Sequence, residues 1–337
     1  MKAVGYRNSL PITEAQSLVD VELPDPVPGA RDLLVEVKAI SVNPVDTKVR
    51  MRAAAGPGEI KVLGYDAAGV VKAVGAEVTL FKPGDEVFYA GSIARPGTNS
   101  ELHVVDERIV GPKPRTLGFA QAAALPLTSI TAWELLFDRL GLVPGDTERK
   151  GSLLVIGGAG GVGSIMIQLA RKLTGLTVIA TASRPESREW VLKLGAHQAI
   201  DHSKLWSGQV RDLGFKHVDF VAGLTATDQH LAEIAEIIAP QGKFGIIDDP
   251  KAFDVLLLKR KSVSVHWEFM FTRAVFETPD MLAQHQLLKK VAEMVDAGTL
   301  KTTLSEEFGK INAENLRRAH ALIESGRSKG KVVLSGF

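Results

Sequence analysis

The chain has 337 residues, enough for about two domains with a core that needs no covalent staples. Lys plus Arg number 40 and Asp plus Glu 39, a formal net charge of +1, which gives no electrostatic reason to expect nucleic acid or an anionic membrane as partner. Hydrophobic residues at 45% and charged residues at 23% exclude a disordered chain, and the absence of cysteine removes disulfides, thiolate nucleophiles, iron–sulfur clusters and cysteine-ligated zinc.

The N-terminus is charged again at Arg7, with Pro11 soon after, and holds no apolar signal core. Lacking cysteine also fits a reducing compartment, so a cytoplasmic location is expected. Residues 1–127 read as β-rich. Leu33–Ile40 is a run of strand formers, Gly69–Gly75 is another bounded by glycines, and Lys82-Pro83-Gly84-Asp85-Glu86-Val87 is a turn feeding a strand. This is the pattern of a small antiparallel barrel or sandwich.

From 128 to 268 short apolar strands alternate with helices. Strands are expected at Leu153–Gly157, Val178–Ala182, Ala199–Ile200, Val218–Ala222, Lys243–Ile247 and Val263–Val265. Helices are expected at Ile165–Leu173, Glu186–Leu194 and Ala232–Ile238. Repeated β-α alternation implies a parallel sheet covered on both faces, so the fold class is α/β. Residues 269–337 carry a helix near Met281–Ala297, a shorter one near Glu314–Glu324 and a last strand at Lys331–Leu334. They return to the first domain, into which the second is inserted.

The strongest motif is Gly158-Ala159-Gly160-Gly161-Val162-Gly163, set between an apolar strand and a helix start. In that context it reads as a dinucleotide-binding turn. Gly158 permits the tight turn, Gly160 admits a pyrophosphate and Gly163 lets the helix pack on the sheet. Helix N-terminal N–H groups then face the anion. About 20 residues on, an NAD site places an acidic side chain. Here stand Ser183 and Arg184. A guanidinium fork suits a 2′-phosphate, and His202 after the third strand either flanks the same phosphate or is a surface residue.

The chain resembles the medium-chain dehydrogenase/reductase superfamily, and within it the quinone oxidoreductase branch, which includes proteins labelled zinc-type alcohol dehydrogenase-like. The carriers are Ser41-Val42-Asn43-Pro44-Val45-Asp46, Leu63–Val71, Lys82–Val87, Ala122–Trp133 and the glycine turn, which span essentially the whole chain. The resemblance implies a GroES-like catalytic domain (1–127 and 269–337) and an NADPH-binding Rossmann domain (128–268). It also implies Asn43 and Thr131 near the nicotinamide and NADPH as hydride donor. Zinc-bearing cousins place cysteine, histidine and cysteine where this chain has Asn43, Tyr65 and Leu127, so no metal is expected. The family's tyrosine after the third strand is His202 here.

Without a metal, alcohol oxidation near pH 7 lacks the means to lower a hydroxyl pKa. Reduction of a quinone or an α,β-unsaturated carbonyl needs only hydrogen-bond donors for the enolate oxygen, such as Asn43 or Tyr65. Asn43 also reads as a turn residue before Pro44, and Tyr65 as packing. The expected function is an NADPH-dependent quinone or enone oxidoreductase acting on a small apolar carbonyl. The alternatives are a zinc-type alcohol dehydrogenase and an NADPH-binding structural or regulatory protein. The aromatic segment His266–Phe271 reads as a pocket wall or a subunit interface. A homodimer is expected, paired along the sixth strand near Ser262–His266, because an unpaired apolar edge is an aggregation hazard. Arg95–Asn99 reads as a mobile loop over the pocket. Gly326-Arg327-Ser328-Lys329-Gly330 matches a hydrolase elbow in spelling alone, since neither a helix nor a histidine follows.

Overall fold

The structure, a computed structural model, describes residues 1–337 and divides them into two units. One comprises Met1–Ile130 and Phe271–Phe337, the other Thr131–Met270. The sequence boundaries at 127 and 268 differ from these by a few residues, the first falling inside the helix Pro126–Trp133.

In the second unit the strands are β1 (Ser152–Ile156), β2 (Thr177–Thr181), β3 (Gln198–Ile200), β4 (Val218–Gly223), β5 (Ile238–Ile246) and β6 (Ser264–Trp267). They form one sheet in the order β3-β2-β1-β4-β5-β6, parallel throughout. Helices α1 (Gly161–Leu173), α2 (Pro185–Lys193), α3 (Trp206–Asp212) and α4 (Thr227–Ile237) connect them. β1 lies at the centre, and every one of its residues is buried because helices cover both faces. The strand order reverses at β1, which opens a crevice at the carboxyl ends of β1 and β4.

Two details differ from the sequence reading. α3 is an additional helix, too short for a periodic signal and interrupted by Gly208. Trp206 anchors it in the core, and its backbone N–H donates to Glu233. β5 begins five residues earlier than expected, since Ile238 pairs with Val218 before the chain bulges out at Pro240-Gln241-Gly242.

The first unit is built around Asp32–Val42, a strand of 11 residues. Ala67–Val74 pairs along one side of it. Leu102–Asp106 pairs with its first half and Lys331–Ser335 with its last residues, all antiparallel. The helix Pro44–Arg52, unforeseen in a β-rich region, starts directly where the long strand ends. Pro44 pre-sets its first turn, and the Asp46 carboxylate accepts the N–H of Asn43 at 2.6 Å. The register sets Val42 opposite Val332 and Ile40 opposite Ala67. Asn43, Asp66 and Lys331 therefore emerge at the same end of three adjacent strands.

Candidate functional site

The turn after β1 is made by glycines with different jobs. Gly157, just before the motif, has φ of 77° and takes the tight turn that the sequence assigns to Gly158. Gly158 instead permits close packing, because a Cβ there would lie 2.8 Å from Cβ of Ala180 on β2. A Cβ on Gly163 would lie 2.6 Å from the backbone of Gly157 and Gly158, so α1 sits directly on the turn. At Gly160 a Cβ would meet nothing closer than 3.4 Å, so internal packing does not demand glycine there. The bare backbone of Gly160 borders open space, as close approach of a pyrophosphate requires. No side chain caps α1 at Gly160, which leaves the N–H groups of Gly161, Val162 and Gly163 for an anion. Ala159 is tied down, its carbonyl accepting from Ser164 Oγ at 3.4 Å. These residues fit a dinucleotide.

Beyond β2 the structure brings Ser183 and His202 together, Oγ to Nε2 at 3.3 Å. Arg184 follows in the chain and N-caps α2. Its guanidinium donates to Ser187 Oγ at 3.2–3.3 Å and lies 3.4 Å from Glu186. His230, from α4, stands edge-on to His202 at 6.2 Å and rests on Trp206 at 4.7 Å. Burial, then the charge of His202, lowers its pKa. Sequence reading missed His230 because it reaches this place from a separate helix.

In the first unit Asn43 is heavily engaged. Its Nδ2 donates to Asp66 Oδ2 at 2.8 Å and to the Ser41 carbonyl at 3.3 Å, and its Oδ1 accepts from Lys331 Nζ. Both amide protons thus have acceptors within the protein, so the geometry makes Asn43 a framework residue rather than a spare donor. Asp66 also accepts the Leu127 N–H at 2.8 Å and Lys331 Nζ at 2.9 Å. Burial raises the pKa of Asp66, against the pull of the Lys331 charge. Asp46, also fully buried, is pushed up to about 7, chiefly by burial. Asp46 and Asp66 fall inside the motifs that carry the resemblance, which assigns them no role, and Lys331 lies in no motif.

Tyr65 is buried, with its ring edge-on to Phe271 at 5.4 Å. Its hydroxyl makes no hydrogen bond within the protein, unlike the carboxamide of Asn43. Burial, and then the Asp46 charge, holds the phenol well above its ordinary pKa, so it keeps its proton. Thr131 is buried on the helix Pro126–Trp133 and is the first residue of the other unit.

That helix continues as a π-helix, Glu134–Arg139. Arg139 Nε bonds Glu268 at 2.7 Å, and its Nη2 lies 3.7 Å from Glu134. Both carboxylates have fully buried side chains. Burial, followed by the Glu134 charge, pushes Glu268 up to about 9.

The segment Arg95–Asn99, expected as a mobile loop, is tied to its surroundings by side-chain and backbone hydrogen bonds. Arg95 pairs bidentately with Asp32 at 2.8 and 2.9 Å, and His103 Nε2 binds the Pro96 carbonyl at 3.0 Å. Backbone bonds from Gly97, Thr98 and Asn99 tie it to Val62–Gly64. The segment His266–Phe271 splits: Trp267 and Phe269 are about half exposed (55% and 49%), whereas Met270 and Phe271 are buried.

The donor set does not fit zinc. Asn43, Tyr65 and Leu127 offer a carboxamide already bonded, a phenol and an aliphatic chain. No group of three His, Cys, Asp or Glu side chains could hold a metal ion. No helix is long and apolar enough to cross a membrane.

A doubly wound parallel sheet with a glycine turn, joined to a β-rich unit, defines a two-domain nicotinamide-dependent oxidoreductase. Family models agree. The "Alcohol dehydrogenase GroES-like domain" matches residues 29–129 and "Zinc-binding dehydrogenase" matches 194–334. Zinc-type alcohol dehydrogenase-like protein SAS2087 of Staphylococcus aureus (strain MSSA476) is 40% identical, over 99% of this chain and 100% of that protein. The 2-methylene-furan-3-one reductase of Solanum lycopersicum is 31% identical, over 99% of this chain and 79% of that one. A crystal structure from Rhizobium etli CFN 42, bearing the name of a zinc-dependent alcohol dehydrogenase, shares 61% identity with a TM-score of 0.95, over 100% of this chain and 98% of that one. A quinone oxidoreductase of Pseudomonas syringae pv. Tomato DC3000 shares 28% with a TM-score of 0.84, over 99% of each chain. The chain belongs to the medium-chain dehydrogenase/reductase superfamily.

Proposed function

We propose that the protein is an NADPH-dependent, zinc-independent reductase of α,β-unsaturated carbonyls or quinones. The observation that carries this reading is the contrast at the matched ligand positions. Nothing there supplies a Lewis acid, while Tyr65 keeps a protonated hydroxyl with no partner inside the protein. Bound NADPH supplies a hydride. The chain's own task is to accommodate the negative charge that then moves to the carbonyl oxygen, and one well-placed O–H donor serves that need. The relatives named as an enone reductase and a quinone oxidoreductase support the substrate class. Asn43 serves by orientation, and Thr131 is assigned to the nicotinamide end of the cofactor.

Preference for NADPH rests on Ser183, Arg184 and His202, a hydroxyl, a guanidinium and an imidazole where an NAD site needs a carboxylate. NADPH oxidation measured across quinones, enones, aldehydes and saturated alcohols tests the reading. Quinones or enones should turn over, and Tyr65→Phe should lower kcat about a hundredfold, the loss expected for one oxyanion donor, with NADPH affinity unchanged. Arg184→Ala should cut the NADPH-over-NADH preference about tenfold. Robust alcohol oxidation by chelator-treated protein would overturn the reaction class.

A homodimer belongs to the same proposal. β6 has a neighbour on one side only, and Trp267, Leu256, Leu257 and Phe269 nearby are 55%, 67%, 49% and 49% exposed. An open edge flanked by apolar side chains favours pairing with a second copy. Light scattering at micromolar concentration should give twice the chain mass, and a monomer would refute it.

A further inference from the structure

Stretches far apart in the chain meet at one buried carboxylate. Asp66 takes an N–H from Leu127, an amide proton from Asn43 and an ammonium proton from Lys331. Lys331 Nζ also donates to the Val42 carbonyl at 3.1 Å and to Asn43 Oδ1. The two charged side chains are 3% and 0% exposed. An ion pair buried this deeply is a poor device for stability alone, because desolvating two charges offsets most of their attraction and an apolar pair of equal volume serves as well or better. Its distinctive product is geometry. The ammonium has every proton committed to an oxygen, and those oxygens belong to the residues that end one strand and precede another.

The fixed parts are also the ones the proposed reaction uses. Asp66 is the immediate neighbour of Tyr65, and its carbonyl is held by Thr98 Oγ1 at 3.2 Å and by the Ser41 N–H at 3.3 Å. Its carboxylate holds Leu127, in the first turn of the helix Pro126–Trp133. Asp46 completes the frame by binding the N–H groups of Asn43 and Gly64 at 2.6 and 3.1 Å. We infer that Lys331 is a positioning residue of the reductase: its ammonium is the site's resident cation and fixes Asn43, Asp66 and thereby Tyr65 in the working arrangement. The inference rests on the reductase reading above.

The absence of cysteine makes a charge-specific test practical, since a cysteine introduced at 331 is the only thiol. Lys331→Cys, alkylated in denaturant and refolded, is compared in two forms. Bromoethylamine restores an ammonium at nearly the length of lysine, and iodoacetamide adds a neutral amide. Turnover is counted per NADPH-binding site, which corrects for refolding yield. The neutral form should lose about a hundredfold in kcat, the scale of a small misplacement of reacting groups. Its NADPH affinity should stay within about twofold, because no residue of the glycine turn takes part in the hydrogen bonds that change. The aminoethylated form should recover most of the kcat. Equal turnover in the two forms would overturn the inference while leaving the reductase reading intact, whereas a wild type that reduces no quinone or enone removes both. If the cysteine variant fails to refold, Lys331→Met/Asp66→Asn, which buries no charge, takes its place. It should bind NADPH normally with at least about tenfold lower kcat, and wild-type kcat in it would count against the inference.

Discussion

The glycine turn of the second unit and the Asp66–Lys331 node of the first both hold backbone in place for chemistry, by opposite means. The turn works by leaving atoms out. Gly158 and Gly163 have no room for a Cβ, and Gly160 keeps its outer face bare. All its parts lie within a few residues, and it needs no charge. The node works by filling a buried space with an ammonium and a carboxyl group, each saturated by neighbours drawn from residues 42 to 331. A site made by omission is robust to its surroundings and fragile to added volume. One made by charge tolerates similar volume but not a missing partner.

That difference can be broken experimentally. The largest effect should come from halving the node. Lys331→Met leaves Asp66 buried without its counter-ion and should cost about 3–5 kcal/mol in urea unfolding, and Lys331→Met/Asp66→Asn should recover much of it. If the single and double variants are equally unstable, the charges are not coupled. At the turn, Gly163→Ala should cost about 1–3 kcal/mol in urea unfolding through overpacking against Gly157 and Gly158, and the shifted turn should also weaken NADPH binding in fluorescence titration. Gly160→Ala should cost at most about 1 kcal/mol of stability, the loss of a glycine N-cap, since the fold leaves room for that methyl, and should weaken NADPH binding.

A smaller effect sharpens the contrast from a third place. Glu134 and Glu268 are two buried carboxylates sharing Arg139, so their charge is not balanced as it is at the node. Glu268 holds its proton up to about pH 9 in the fold, whereas an unfolded glutamate releases it near 4.5. Its contribution is therefore complete below about pH 4.5 and is lost as pH rises towards 9. Melting temperature should fall across that window, and Glu268→Gln should flatten the slope. An unchanged slope in the variant would show that the pair does not hold the proton.

Legibility followed the range of the interactions. The β-α alternation, the glycine turn and the strand cores were readable because hydrophobic period and glycine spacing are local. So was the resemblance that named the superfamily. Even there, the tight turn belongs to Gly157 rather than Gly158, since only backbone geometry shows which residue takes positive φ. The Arg95–Asn99 segment read as a loop because Pro96, Gly97 and Asn99 are turn residues. Asp32 and His103 pin it, and neither is visible from within the segment.

By itself the sequence determined the α/β class, the place of the dinucleotide turn and the hydroxyl and guanidinium at the end of β2, all set by neighbours in the chain. Tertiary structure alone decided that Asn43 spends its amide protons inside the protein, that Tyr65 keeps its hydroxyl free, and that Lys331 is the cation beside Asp66. Those assignments depend on strand register, which sets Val42 opposite Val332 and Ile40 opposite Ala67. Register is a sum of many weak contacts along whole strands, and no short stretch of sequence contains it.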